Sequence, residues 1–206
     1  MMDSDDDEHS ERVLKVVVCG DGASGKTSLC MRFSQDNFGR HYQQIWDIGG
    51  QSIASPMLQK YIFGAHGALV VYDVTNSSSF ENLEDWVNII KKITKTQEKP
   101  AQLSLVGNKT DLEHRRAVRI EKHTKFAEQH GMTSHYVSAK TGDSVKLMFR
   151  QLAAEILGMQ LTKTDMEADI IVVEAPVATQ TEAESKAARQ QRRNDQSRNT
   201  AVCNVM

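Results

Sequence analysis

Four short runs of β-branched and aliphatic residues mark the first three quarters of the chain: 14–19 (LKVVVC), 68–73 (ALVVYD), 102–107 (QLSLVG) and 134–138 (SHYVS). They are near-continuously apolar rather than alternating, the pattern of strands buried on both faces of a parallel sheet. Longer segments with helical spacing lie between them. Phe80, Leu83, Val87, Ile90 and Ile93 recur at steps of three and four, one stripe of an amphipathic helix. Ser78 with Glu81 predicts a capping box at its start. A segment ending at Gly131 predicts a glycine-capped helix. Val145, Met148, Phe149, Leu152 and Ile156 share a face of another helix that closes at Gly158. A helix holding Leu29, Met31 and Phe33 follows the first strand. This alternation predicts an α/β fold with a doubly wound, mostly parallel sheet, which binds ligands at the carboxyl ends of its strands.

Composition sets the boundaries. At 206 residues, 39% hydrophobic and 25% charged, the chain suits one soluble domain with a tail. Residues 1–11 are acidic and read as a disordered lead, 12–158 as the globular domain, and 159–206 as a flexible polar tail that cannot bury a core. The run 170–173 (IIVV) either touches the domain or a partner, or is a sticky patch in that tail. The lead lacks the apolar stretch of a signal peptide, and no apolar run approaches the roughly 18 residues that span a bilayer. A net charge of −2 gives no global case for a nucleic-acid partner or acidic substrates. The three cysteines form no CxxC pair, which points to a reduced, cytoplasmic compartment. The seven histidines are scattered without metal-ligand spacing.

The candidate chemistry falls at the ends of the strands. Gly20–Thr27 (GDGASGKT) matches G-x-x-x-x-G-K-[ST] between a strand and a helix, the context a phosphate loop requires. Gly22 and Gly25 let the backbone N–H groups of Gly20, Asp21, Gly22, Ala23, Ser24, Gly25, Lys26, Thr27 and Ser28 turn inward to phosphate oxygens at a helix N-terminus. Lys26 would neutralise β/γ-phosphates, and Thr27 would offer its hydroxyl to Mg²⁺. Alone, this motif leaves kinases and ATPases open. Asp47 in DIGGQ can hold Mg²⁺ through water, the Gly50 N–H can meet the γ-phosphate, and Gln51 can orient the attacking water. In NKTD (108–111) the Asp111 carboxylate can accept both the N1–H and N2 amine of guanine, a donor pair adenine lacks. Asn108 can brace the phosphate loop and the Lys109 stem can lie along the base. In Ser138–Lys140 the Ala139 N–H can meet guanine O6.

Together with SFENLEDW and AAEILG, these motifs resemble the Rab type of Ras-superfamily small GTPase over about residues 12–158. The resemblance implies a P-loop NTPase G domain that binds GTP or GDP with Mg²⁺ and hydrolyses GTP, with Thr27 and Asp47 at the metal and Gln51 and Lys26 in catalysis. It assigns Phe38 to the guanine face and Ser138, Ala139 and Lys140 to the base. It also implies an exchange factor, a GTPase-activating protein and effectors, in membrane and vesicle traffic. Two departures stand in the second switch: Gly49 where most relatives have Ala, and Ser52 where most have Glu. The absence of a lid-like arginine-rich insert, with NKTD, disfavours a P-loop kinase.

One break interrupts the resemblance. Lys26 and Asp47 are 21 positions apart, far closer than in the family. The family's intervening Thr-Ile-Gly segment, a strand and most of a second are missing, so edge strands are expected to be shortened or absent. The missing Thr would bind Mg²⁺ and sense the γ-phosphate. Residues 37–46 cover at most ~33 Å when extended. Two arrangements are open: Phe38 stays beside the base while the chain crosses directly to Asp47, or 40–46 form a makeshift parallel strand beside 14–19. RHYQQIW is a poor buried strand, which favours the first. Either leaves strand 14–19 short of a neighbour, and predicts reduced stability and a damaged GTP switch, with GDP binding less affected. A nucleotide-binding scaffold with little cycling is the competing reading.

The last four residues, CNVM, fit C-a-a-X with prenylation at Cys203, the terminal Met pointing to farnesyl. One lipid anchors marginally, so Lys186, Arg189, Arg192, Arg193 and Arg198 are expected to add attraction to an anionic leaflet. No aromatics interleave with them, which argues against nucleic acid. A monomer is expected, with a prenyl-binding chaperone as partner, in the cytoplasm and on the cytoplasmic face of membranes.

Overall fold

The computed structural model describes residues 13–36, 43–48, 53, 55 and 57–162. The expected acidic lead, Phe38, Gly49, Gly50, Gln51, Ser52, the 170–173 run, the basic tail residues and Cys203 lie outside them. Along the chain run β1 (Leu14–Cys19), α1 (Lys26–Asp36), β2 (Gln43–Asp47), α2 (Met57–Ile62), β3 (Gly67–Asp73), α3 (Ser77–Glu81), α4 (Leu83–Thr94), β4 (Gln102–Asn108), a 3-10 turn (Thr110–Arg115), α5 (Ile120–His130), β5 (Thr133–Val137) and α6 (Val145–Leu157). All strand pairs are parallel, in the order β2-β1-β3-β4-β5.

The apolar runs become strands because both sheet faces are covered. Val17, Val70, Tyr72 and Leu105 meet Leu58, Ile62, Phe80, Leu83, Trp86, Val87 and Ile90 on one side. Val16, Val18, Leu69, Val71 and Val106 meet Leu29, Phe33, Met148, Phe149 and Leu152 on the other. Phe33 and Phe149 stack at 4.0 Å, tying α1 to α6. Met31, counted with the apolar residues of α1, is 56% exposed. Gly131 (φ 64) and Gly158 (φ 69) close α5 and α6 in the left-handed conformation, as expected of C-terminal glycines.

Two expectations are corrected. The capping box of Ser78 and Glu81 does not form: Asn76 Oδ1 accepts from the Ser78 N–H at 3.0 Å and the Ser79 N–H at 3.4 Å. The helix it starts is short, and the expected single helix divides at Asn82 into α3 and α4. Asn76 wins because its side chain satisfies two of the orphan amides of the first turn at once.

The second correction concerns the break. The chain does not cross directly to Asp47: Gln43–Asp47 is a strand parallel to β1, with Leu14 opposite Gln43 and Val18 opposite Asp47. The Ile48 N–H continues the pairing onto Val18 O at 3.0 Å. Backbone accounting decides it. The edge amides and carbonyls of buried β1 need partners, and that requirement outweighs the polar side chains of β2. Those side chains are tolerated because β2 is the edge strand among the described residues. Gln44 and Asp47 are exposed, while Ile45 and Trp46 pack half-buried against opposite faces. The edge of β1 is thus covered rather than bare, and the parallel alternative is the one adopted.

Candidate functional site

The loop between β1 and α1 opens at the carboxyl end of the sheet. Its tight turns are made at Gly20 (φ 130), Ala23 (φ 60) and Gly25 (φ 89). Gly20 and Gly25 need glycine, since a side chain at the first would strike the Val71 backbone and at the second the Asn108 amide. Gly22, expected to share that role, has no left-handed φ and open space around it. Ser24 is fully buried, its hydroxyl donating to Asp21 O at 2.8 Å. Lys26 is 4% exposed, and its Nζ donates to the same oxygen at 2.7 Å. Burial holds its ammonium below the usual lysine range, while the nearby Asp47 charge works the other way. A buried, under-neutralised cation at a helix N-terminus is the chemistry that receives a phosphate.

β2 brings Asp47 to the same end, where the Thr27 hydroxyl donates to Asp47 Oδ2. Both side chains are exposed, so two hard oxygen donors meet at the mouth of the loop. That pair fits Mg²⁺, which takes one or two protein oxygens and fills its octahedron with phosphate and water. Among the described residues no group of three or more His, Cys, Asp or Glu could hold a metal without such help.

Beyond the loop a cleft of about 500 Å³ is lined by Gly25 and Ser28 from the loop side, by Asn108, Lys109 and Asp111 after β4, and by Ala139 and Lys140 after β5. Asn108 Nδ2 donates to Ser24 O at 2.8 Å, bracing the phosphate loop. The Ala139 N–H, expected at guanine O6, donates to Asn108 Oδ1 at 3.0 Å. Asp111 Oδ1 accepts from the Ser138 hydroxyl at 2.8 Å, and Lys140 Nζ lies 3.8 Å from Oδ2. The carboxylate is thereby fixed at one oxygen, with the charge of Lys140 at the other. Lys109 adopts φ 71, and its Nζ donates to Ala23 O at 2.8 Å and Asp73 Oδ2 at 2.7 Å.

Several residues of this network escape motif reading. Asp73, held below the usual carboxylate range by Lys109 and the Thr75 donors against the pull of burial, orients Lys109. Its position as the last residue of β3, at the ligand-binding end, was the available signal. Arg32 donates to Ala139 O at 3.2 Å and Lys140 O at 2.7 Å, tying α1 to the last loop. Asp21, expected only to lend its backbone, accepts from Asn82 and Trp86 through its carboxylate. Nothing in local spacing marks those last contacts.

Comparison with known proteins agrees with this geometry. Residues 41–158 match the model of the Ras family. The chain is 47% identical over 222 residues to the Ras-related protein Rab-28 of Caenorhabditis elegans, an alignment taking in 97% of this chain and 89% of that protein. It is 37% identical over 175 residues to the Ras-related protein RABA5c of Arabidopsis thaliana, with 74% and 80% covered. It is 33% identical over 168 residues to the Ras-related protein Rab-13 of Bos taurus, with 71% and 81% covered. The alignment of 222 positions exceeds the 206 residues of the chain, so the nematode protein has residues without a counterpart here.

Proposed function

The chain belongs to the Ras family of small GTPases, among its Rab members, and from that premise we propose that it binds GDP and GTP in the cleft beside the phosphate loop. The observation that supports this most is the convergence of Gly25, Asn108, Asp111 and Ala139, from three separate loops, around one opening. Membership in the family makes it a GTP-hydrolysing protein of membrane traffic. In this reading the loop amides and Lys26 take the phosphate charge as it develops in transfer to water. Asp111 reads the guanine edge, and Lys109 lies along the base while held by Asp73 and Ala23. Phe38 covers the guanine face and Ser138 and Lys140 steady the base loop. Gln51 orients the attacking water, and the Gly50 N–H meets the γ-phosphate. Thr27 and Asp47 would hold Mg²⁺, which would supply charge neutralisation for the phosphates.

A second reading has its own support. The six residues between α1 and β2, NFGRHY (37–42), contain no threonine. The family's γ-phosphate sensor has no counterpart there, so the GTP and GDP forms should differ little and cycling should be slow. Single-turnover hydrolysis and GTP and GDP affinities, each with and without Mg²⁺, test both readings. Guanine-nucleotide binding without a GTP·Mg²⁺ preference is the expected result. A normal preference and normal turnover would overturn the impaired switch, and no guanine-nucleotide binding would overturn the site. We further propose domain limits of 12–158 with a tail from 159, and a monomer at the cytoplasmic face of membranes. A prenyl group on Cys203 and the basic residues Lys186, Arg189, Arg192, Arg193 and Arg198 would hold it there, with an exchange factor, a GTPase-activating protein, effectors and a prenyl-binding chaperone as partners.

A further inference from the structure

The phosphate loop contains an acid. Asp21 lies between Gly20 and Gly22, and its main-chain oxygen already accepts from Lys26 Nζ at 2.7 Å. Its carboxylate charge is felt at the Lys26 ammonium, together with those of Asp47 and others. A free carboxylate at that position could do two harmful things. It could pair with Lys26, withdrawing the loop's one lysine from the phosphates, or it could face the phosphates and repel them.

In the structure the carboxylate has other partners. Asp21 Oδ1 accepts from Trp86 Nε1 at 3.1 Å, and Oδ2 accepts from Asn82 Nδ2 at 2.5 Å. Each carboxylate oxygen therefore has a donor other than Lys26. Both donors come from the α3–α4 break. Asn82 is the break, its backbone N–H bonded to Phe80 O and Ser78 O. Trp86 sits one turn into α4, 2% exposed, and is packed in the core cluster with Leu83, Val87 and Ile90. The indole is thus held by core packing, and Asn82 by the hydrogen bonding of its backbone N–H. Neither residue lines the base cleft, so neither is placed to touch the base.

We propose that Asn82 and Trp86 are positioning residues for nucleotide binding: their two donors hold the Asp21 carboxylate on the α4 side of the loop, leaving Lys26 for the phosphates. This rests on the guanine-nucleotide reading above and explains how a loop containing an acid remains an anion site.

GDP release from the full-length chain, measured with a fluorescent GDP in Mg²⁺ buffer, is the test. Trp86→Phe keeps most of the ring packing and removes one donor. Asn82→Ala removes the other from an exposed position whose side chain caps no helix end, so it serves if the tryptophan change impairs folding. Each is expected to speed release, by about three- to tenfold, the scale of one ordinary net hydrogen bond. The discriminating arm is the same pair of changes made together with Asp21→Asn, which removes the carboxylate charge. There the acceleration should fall below about twofold, because no charge remains to be held away. A merely structural role would speed release equally in both backgrounds and follow the melting temperature of the nucleotide-free chain. Equal acceleration with and without Asp21→Asn, or unchanged release in both single variants, would overturn the inference while leaving the proposed function standing. Failure of the unaltered chain to bind GDP overturns the proposed function and this inference with it.

Discussion

At the scale of single residues, base selection depends on one carboxylate. Asp111 is fixed by the Ser138 hydroxyl at 2.8 Å, so its geometry does not have to be assembled when the base arrives. Asp111→Asn replaces an acceptor pair with one acceptor and one donor, mismatched to the N1–H and N2 amine of guanine. Affinity for GDP should fall by about 100-fold or more, with xanthosine diphosphate bound in its place; competition against labelled GDP measures both. A second residue-scale prediction concerns acid. His123 is fully buried between the Tyr72 hydroxyl at 2.8 Å and the Ser134 hydroxyl at 2.6 Å. Burial first, and the Arg116 and His135 charges after it, push its pKa down to about 4. Burial alone does the same to His135, also to about 4. Unfolded histidine titrates near 6.5, so between that value and about 4 the unfolded chain binds more protons. Stability should therefore be intact above pH 6.5 and fall as pH drops through this window, by roughly 2 kcal/mol per histidine at pH 5. Urea titrations at pH 7 and pH 5 measure it, and His123→Gln should flatten the dependence in part. The motif residues were legible because their chemistry is set by spacing along the chain. The Tyr72–His123 and Asp21–Trp86 contacts join residues 51 and 65 positions apart, and only the fold brings them together.

At the scale of elements, the four apolar runs were legible to within one residue because burial on both faces leaves an unbroken aliphatic signature. β2 was not, because an edge strand can keep polar side chains and still satisfy the backbone of β1. The division of the α3–α4 segment at Asn82 was hidden for a different reason: its apolar stripe continues through the break, and periodicity does not register a change of axis. The observed cap gives a direct test. Asn76→Ala removes the acceptor for two N–H groups of α3 and should cost about 1 kcal/mol, whereas Ser78→Ala, in the expected capping box, should cost little. Denaturant melts of the two variants separate these outcomes. Gly107 in β4 offers a second test. A Cβ there would lie 2.8 Å from the Tyr136 ring and 2.9 Å from the Tyr72 hydroxyl, in a region already filled by the stack of His123 on Tyr136. Gly107→Ala should therefore destabilise the chain by about 1–3 kcal/mol through overpacking, read in the same melts.

For the whole molecule, the five-stranded sheet and both helical layers form among the described residues with only six residues joining α1 to β2. Closing the fold and building the switch are separable requirements. The first needs a partner for the edge of β1, which Gln43–Asp47 supplies; the second needs a γ-phosphate sensor, and none stands between Asp36 and Gln43. Ligand linkage turns this into a measurement. A nucleotide that binds only the folded chain adds about 2.7 kcal/mol at 100 times its Kd. For a domain of this size that is a rise in Tm of roughly 5–10 °C. GDP with Mg²⁺ should produce it, since the loop amides, Lys26, Thr27, Asp47 and Asp111 all act on groups GDP contains. GTP with Mg²⁺ adds a phosphate but finds no threonine to order around it. Its shift, at equal multiples of Kd, is fixed by linkage, so the informative quantity is the concentration at which each nucleotide reaches half its effect. Those concentrations should agree within about threefold for GDP and GTP. Inserting the family's switch strand between Tyr42 and Gln43 should separate them in favour of GTP·Mg²⁺. A clear GTP preference in the unaltered chain would mean that some group other than a threonine between α1 and β2 senses the γ-phosphate, with Gly50 and Gln51 the first residues to substitute.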